Sequence, residues 1–128
     1  MNKTENMNRV DEKALSVDVA EENFGAEVLD SKQPVLVEFW APWSRPCQIL
    51  DAVLEEIAAA VAGKAKVVKI NADNTLELSL RYYVQYIPTL LLFVEGKPCF
   101  RIVGTASKEA ILARLKPFGI LDKTSPTG

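Results

Sequence analysis

The sequence contains no histidine, and this absence excludes more chemistry than any other feature of its composition. Without an imidazole, neither a Ser-His-Asp nor a Cys-His arrangement can activate a nucleophile, and no His-containing metal site can form. Cysteine is nearly as scarce. Cys47 and Cys99 are too few and too far apart in sequence to suggest a zinc site. There is no cluster of lysine and arginine and no alternation of aromatic with basic residues. The net charge of -2 comes from interleaved acids and bases, so no nucleic-acid partner is expected. Long apolar runs are missing too. Leu90 to Val94 is far too short to cross a bilayer, and no membrane partner is expected. The amino terminus from Met1 to Lys13 lacks the basic start, apolar core and cleavage site of a secretory signal, which points to a cytoplasmic protein with reduced thiols. No glycine loop of the phosphate-cradling types occurs, so no cofactor is expected.

What is present is the composition of a single domain. With 128 residues, 48% hydrophobic and 25% charged, the chain has enough apolar material for a core without disulfide staples or a bound metal. Residues 1–13 read as a flexible N-terminal extension, 14–117 as the domain, and 118–128, rich in Pro, Thr, Ser and Gly, as a flexible tail. A short strand is expected around Ala14 to Val17. Asp18, with Glu21 three residues later, carries the capping signature of a helix through Phe24 and Val28. Val35 to Trp40 reads as a buried strand. From Arg45 to about Ala62, Ile49, Leu50, Val53, Leu54, Ile57 and Val61 recur at helical spacing, and Gly63 supplies a stop. Lys66 to Ile70 is a strand, Thr75 to about Tyr83 a short helix, and Thr89 to Val94 a strand apolar on both faces. Glu95-Gly96-Lys97-Pro98 is expected to turn the chain into a hairpin partner at Phe100 to Val103. Ser107 is expected to cap a last helix bearing Ile111, Leu112 and Leu115. A βαβ half followed by a hairpin half predicts an α/β fold: a central mixed sheet of about five strands flanked on both faces by about four helices.

The segment Phe39-Trp40-Ala41-Pro42-Trp43-Ser44-Arg45-Pro46-Cys47 joins the second strand to the long helix. Together with Asn71-Ala72-Asp73, Ile87-Pro88-Thr89-Leu90, Gly96 and Gly104, in this order and without a large insertion, it makes residues 14–117 resemble the thioredoxin family. The resemblance implies the thioredoxin fold and thiol-disulfide exchange with protein clients. In that chemistry the first, exposed cysteine of Cys-x-x-Cys attacks a disulfide and the second, more buried one resolves the mixed disulfide. Here Ser44 stands at the first position and Cys47 at the second. A serine hydroxyl is far too weak an acid to ionise near neutral pH and forms no stable bond to sulfur, so the chain as it stands is expected to be inactive or trapped.

Each site residue has a plain reading beside the functional one. Ser44 is suited to cap the long helix, and also marks a lost thiol. Pro46 fits the first helical turn, where the resemblance also gives it a part in tuning redox poise. Cys47 belongs in that turn, where the helix N-terminus favours negative charge and burial opposes it; it is otherwise a small hydrophobe. Glu38 lies inside the apolar run Val35 to Phe39, where an unpaired carboxylate is costly. It matches the family's buried acid that helps deprotonate the resolving cysteine, and Lys69 matches the lysine accompanying that acid. A Glu38–Lys69 pair across adjacent strands is otherwise a structural ion pair. Burial and a shared proton should raise the Glu38 pKa and make it a usable base for Cys47. Pro88, after Ile87, resembles the family's cis-proline, whose neighbouring backbone receives an extended client; the alternative is an ordinary proline beginning a strand. With Trp43, Ile87 and Gly104 it would rim a shallow apolar docking surface, with Trp40 packing beneath.

Four departures from the family pattern bear on function. Arg45 replaces the usual glycine and places a cation beside the site, which favours ionisation of a neighbouring thiol. Tyr83 and Tyr86 stand where small residues are common, implying a narrower groove. Ala52 replaces a proline that kinks the long helix, so a straighter helix is expected. Cys99 has no evident chemical partner. Three functions are open on the sequence: a thioredoxin-type disulfide reductase disabled at position 44, a non-catalytic thioredoxin-fold binding module, or a monothiol protein in which Cys47 itself forms a mixed disulfide with glutathione or a client, against which its expected burial argues. The first implies protein disulfide clients, thioredoxin reductase or another dithiol donor, and a monomer.

Overall fold

In β2 (Val35–Trp40), Val35, Val37 and Phe39 alternate with Leu36, Glu38 and Trp40, so each set faces one side of a sheet. Each side is covered by a different helical layer. The computed structural model describes residues 16–121. Its sheet also contains β1 (Ser16–Asp18), β3 (Lys66–Asn71), β4 (Thr89–Val94) and β5 (Lys97–Val103), in the order β1-β3-β2-β4-β5. β3 pairs in parallel with both β1 and β2, whereas β4 runs antiparallel to β2 and β5. This is the mixed five-stranded sheet the sequence predicts.

On one face Leu36, Val67, Leu90 and Leu92 pack against α1 (Arg45–Val61) and α3 (Lys108–Leu115) through Leu50, Leu54, Ile57, Ile111 and Leu115. On the other, Val37, Phe39, Ile70 and Phe93 pack against Phe24 and Val28 of the first helical segment and Leu78 of α2 (Leu76–Arg81). The two cores account for the near-continuous apolar reading of β2 and β4. α1 is one unbroken α-helix, opened by Ser44 and closed near Gly63, whose φ of 85° lets the chain turn away.

Several boundaries differ from the sequence reading. Asp18 lies in β1, and the backbone N–H of Ala20 instead donates to Asn23 Oδ1 at 2.8 Å. The first helix is a 3-10 turn, Glu21–Asn23, followed by a π-helical turn, Gly25–Leu29. The hairpin turn is tighter than four residues. Glu95 and Gly96 alone take positive φ, and Lys97 already pairs with Val94. Pro98 enters β5 beside a bulge, a place where an edge strand tolerates a missing N–H. The expected tail is also shortened. A 3-10 turn at Lys116–Phe118 leads to Gly119 and then Ile120, which is 1% exposed and part of the α1 core. Residues 1–13, the first part of the expected β1, and residues 122–128 lie outside the described residues.

Candidate active site

Strand alternation turns Glu38 and Trp40 toward α1, on the side of Leu36, and parallel register sets Lys69 opposite Glu38. From α1, Cys47 points inward in the first turn. The Ser44 Oγ accepts from the Cys47 backbone N–H at 3.2 Å, satisfying one of the otherwise unpaired donors of that turn. Pro46, also in the first turn, forfeits no helical bond. Three of the residues singled out from the sequence thus meet. Glu38, Cys47 and Lys69 line one cavity of about 310 Å³, together with Trp40, Gln48 and Asp51.

The alternative reading, a Glu38–Lys69 ion pair, is not what forms, and no proton is shared between the two: Lys69 pairs with Asp51 instead. The Lys69 Nζ donates to Asp51 Oδ1 and lies 5.1 Å from the centroid of the Trp40 ring. Glu38 is 1% exposed, and neither of its carboxyl oxygens has a hydrogen-bond partner among the described residues; nor does the buried Trp40 Nε1. Burial pushes the Glu38 pKa up; Lys69 opposes this and Asp51 adds to it, leaving the group at about 7. Burial alone would depress the Lys69 ammonium. Its hydrogen bond and charge attraction to Asp51, with smaller contributions from Glu38 and Asp18, outweigh that and raise it. A buried acid that changes charge near neutrality can take or return a proton, and the thiol of Cys47 lines the same cavity.

Asp51 was not singled out from the sequence. The signal was present, since a residue four positions after Cys47 lies one helical turn on and on the same face. The other residues are more dispersed. Trp43 is 69% exposed and its indole N–H donates to the Asp73 carboxylate at 3.1 Å. Arg45 and Pro46 are exposed at the start of α1, while Ser44 is buried. The Ile87–Pro88 bond is cis, Pro88 is buried, and its carbonyl accepts from the Gly104 N–H at 2.8 Å. Ile87 is half-buried against the second core, and Tyr86 lines a separate depression with Tyr83 and Arg101. Cys99 is exposed on β5. Among the described residues no helix is long and apolar enough to cross a membrane.

The thioredoxin family model matches residues 15–117. Among the similar proteins is the thioredoxin of Mycobacterium bovis, 43% identical over 104 residues that cover 81% of this chain and 90% of that one. Thioredoxin 1 of a Nostoc species is 41% identical over 103 residues, covering 80% of this chain and 96% of its own. The bifunctional thioredoxin reductase/thioredoxin of Mycobacterium leprae is 42% identical over 101 residues, covering 79% of this chain and 22% of that longer protein. With the predicted mixed sheet, a family model over most of its length and relatives of this identity, the chain belongs to the thioredoxin family.

Proposed function

We propose that this chain is a thioredoxin-type protein disulfide oxidoreductase in which Ser44 holds the place of the attacking cysteine, so that as it stands it does not turn over disulfides. One observation carries the reading: an unpartnered buried acid, Glu38, shares a cavity with the thiol of Cys47. That arrangement serves the resolving step. With cysteine at 44, its thiolate would bond to one client sulfur and release the other as a thiolate. Cys47, its proton passing to Glu38, would then attack the mixed disulfide and release the reduced client. The chain's two thiols are oxidised as the client disulfide is reduced. A thioredoxin reductase or another dithiol donor would restore them; the Mycobacterium leprae relative carries reductase and thioredoxin together in name. The reading has the chain act as a monomer in the cytoplasm, with clients docking across Trp43, Arg45, Ile87, Pro88 and Gly104.

A second reading, a non-catalytic binding module, is favoured by the burial of Ser44. At 4% exposure, with its oxygen committed to the helix cap, Ser44 is fully used by the fold. A monothiol activity of Cys47 is disfavoured because the residue is 3% exposed and exchange needs access. The test is insulin disulfide reduction driven by dithiothreitol, comparing the chain with Ser44→Cys. Turnover by Ser44→Cys and background rates with serine support the first reading. Background rates from both folded proteins overturn it in favour of the binding module.

A further inference from the structure

The family's buried acid and its lysine are both present, but the lysine is turned elsewhere. Lys69 stands opposite Glu38 in the register of β2 and β3, yet its ammonium is held by the Asp51 carboxylate and the face of Trp40. Asp51 enters from α1, one turn beyond Cys47, and lines the same cavity. We propose that Asp51 is a positioning residue that holds the Lys69 ammonium away from Glu38, so that the buried acid shares its cavity with Cys47 without a bonded counter-ion.

Asp51 acts on Glu38 twice and with the same sign. Its own negative charge disfavours a second carboxylate nearby, and its hydrogen bond keeps Lys69, which already favours the Glu38 carboxylate through its charge, from stabilising it further by a direct bond. The charged and titratable groups around Glu38 are few. β3 offers Lys69, α1 offers Asp51 and Cys47, β1 offers Asp18 on the far side of Lys69, and β4 pairs Glu38 with Leu90, which carries no charge. Asp51 is therefore the acid best placed to decide where Lys69 goes. A purely structural role explains less, since the Asp51 side chain is 46% exposed and an ion pair so open to water adds little to stability.

The consequence deepens the proposed function and rests on it only for the use made of Cys47. An acid poised near neutral pH accepts a thiol proton and returns it, whereas one paired with lysine stays ionised and is the weaker base. The Cys47 proton would pass to Glu38 as the thiol attacks, and no further reactant is needed for that transfer.

The test is the pH titration of the Glu38 carboxyl carbon by NMR, in the chain as it stands and in Asp51→Ala and Asp51→Asn. The midpoint is expected at about 7 in the parent chain. It should fall by about one pH unit in Asp51→Ala, which frees Lys69, and by less in Asp51→Asn, which removes only the charge. Lys69→Gln should move it upward. An unchanged or higher midpoint in Asp51→Ala overturns the proposal. Should that variant not fold, Asp51→Asn decides by the same sign. Because the titration needs no turnover, it stands apart from the insulin assay. A downward shift with an inactive Ser44→Cys sinks the proposed function alone, and an unmoved midpoint with an active Ser44→Cys sinks the role of Asp51 alone.

Discussion

Glu38 and Lys69 are register partners on adjacent parallel strands, and the lysine's ammonium is bonded to Asp51 rather than to the glutamate. Nothing else among the described residues hydrogen-bonds the Glu38 carboxyl, which is 1% exposed. The fold therefore buries an acid at a cost that the charge of Lys69 offsets only in part and no hydrogen bond offsets. Function is the economical explanation, because an apolar residue in its place would stabilise the sheet.

That cost sets a pH dependence. The Glu38 pKa is raised from its usual 4.5 to about 7, so between these values the folded chain holds a proton that the unfolded chain has lost. The native state binds more protons there. Stability contributed by this group is thus fully present below pH 4.5, falls as the pH rises toward 7, and is level beyond it, with a total loss of about 3 kcal/mol. Glu38→Gln should remove the slope and leave the protein more stable than the parent at pH 8, by about 1 to 3 kcal/mol since the buried amide also lacks partners. Urea melts of both proteins at pH 5, 6, 7 and 8 check this. A parent midpoint that does not decline across that range would show that the acid is not perturbed.

Much of this site was legible in the sequence because two simple periods place it. Alternation along β2 and β3 brings Glu38 and Lys69 to one face, and the helical repeat after Ser44 turns Cys47 toward them. The choice Lys69 makes between two acids was not legible. It depends on how α1 sits over the sheet, a tertiary quantity that carries no local pattern. The first helix is another case: Phe24 and Val28 share a face at the spacing of an ordinary α-helix and both reach the second core, so the apolar pattern does not signal that the chain winds there as 3-10 and π turns. In β5, the composition of Glu95 to Pro98 signals a turn, but the bulge beside Pro98 absorbs the proline within the strand.

Ser44 has a structural share that can be measured without any disulfide. Its Oγ caps α1 by accepting from the Cys47 N–H at 3.2 Å, in a buried position where water does not readily substitute. Ser44→Ala should cost about 1 kcal/mol, and Ser44→Gly less, as expected for a lost N-cap. Chemical denaturation at one fixed pH gives both values. Equal stability of the parent and Ser44→Ala would mean that the cap contributes nothing, and would leave the burial of Ser44 without its structural account.

The carboxyl end of the domain is the last place where packing overrode composition. Phe118 to Gly128 is rich in the residues of flexible tails, yet Ile120 is 1% exposed and packs in the cluster that holds Leu54, Ile57 and Leu115. Gly119, with φ of 70°, makes the reversal that returns the chain to the core after the 3-10 turn. Removing the Ile120 side chain leaves a cavity beneath α1, so Ile120→Ala should destabilise by about 2 to 4 kcal/mol. A chain ending at Pro117 should lose at least as much. Thermal melts of both, beside a control truncated after Leu121, separate the tail from the packing. If the chain ending at Pro117 melts with the parent, Ile120 is a passenger and the domain does end where its composition changes.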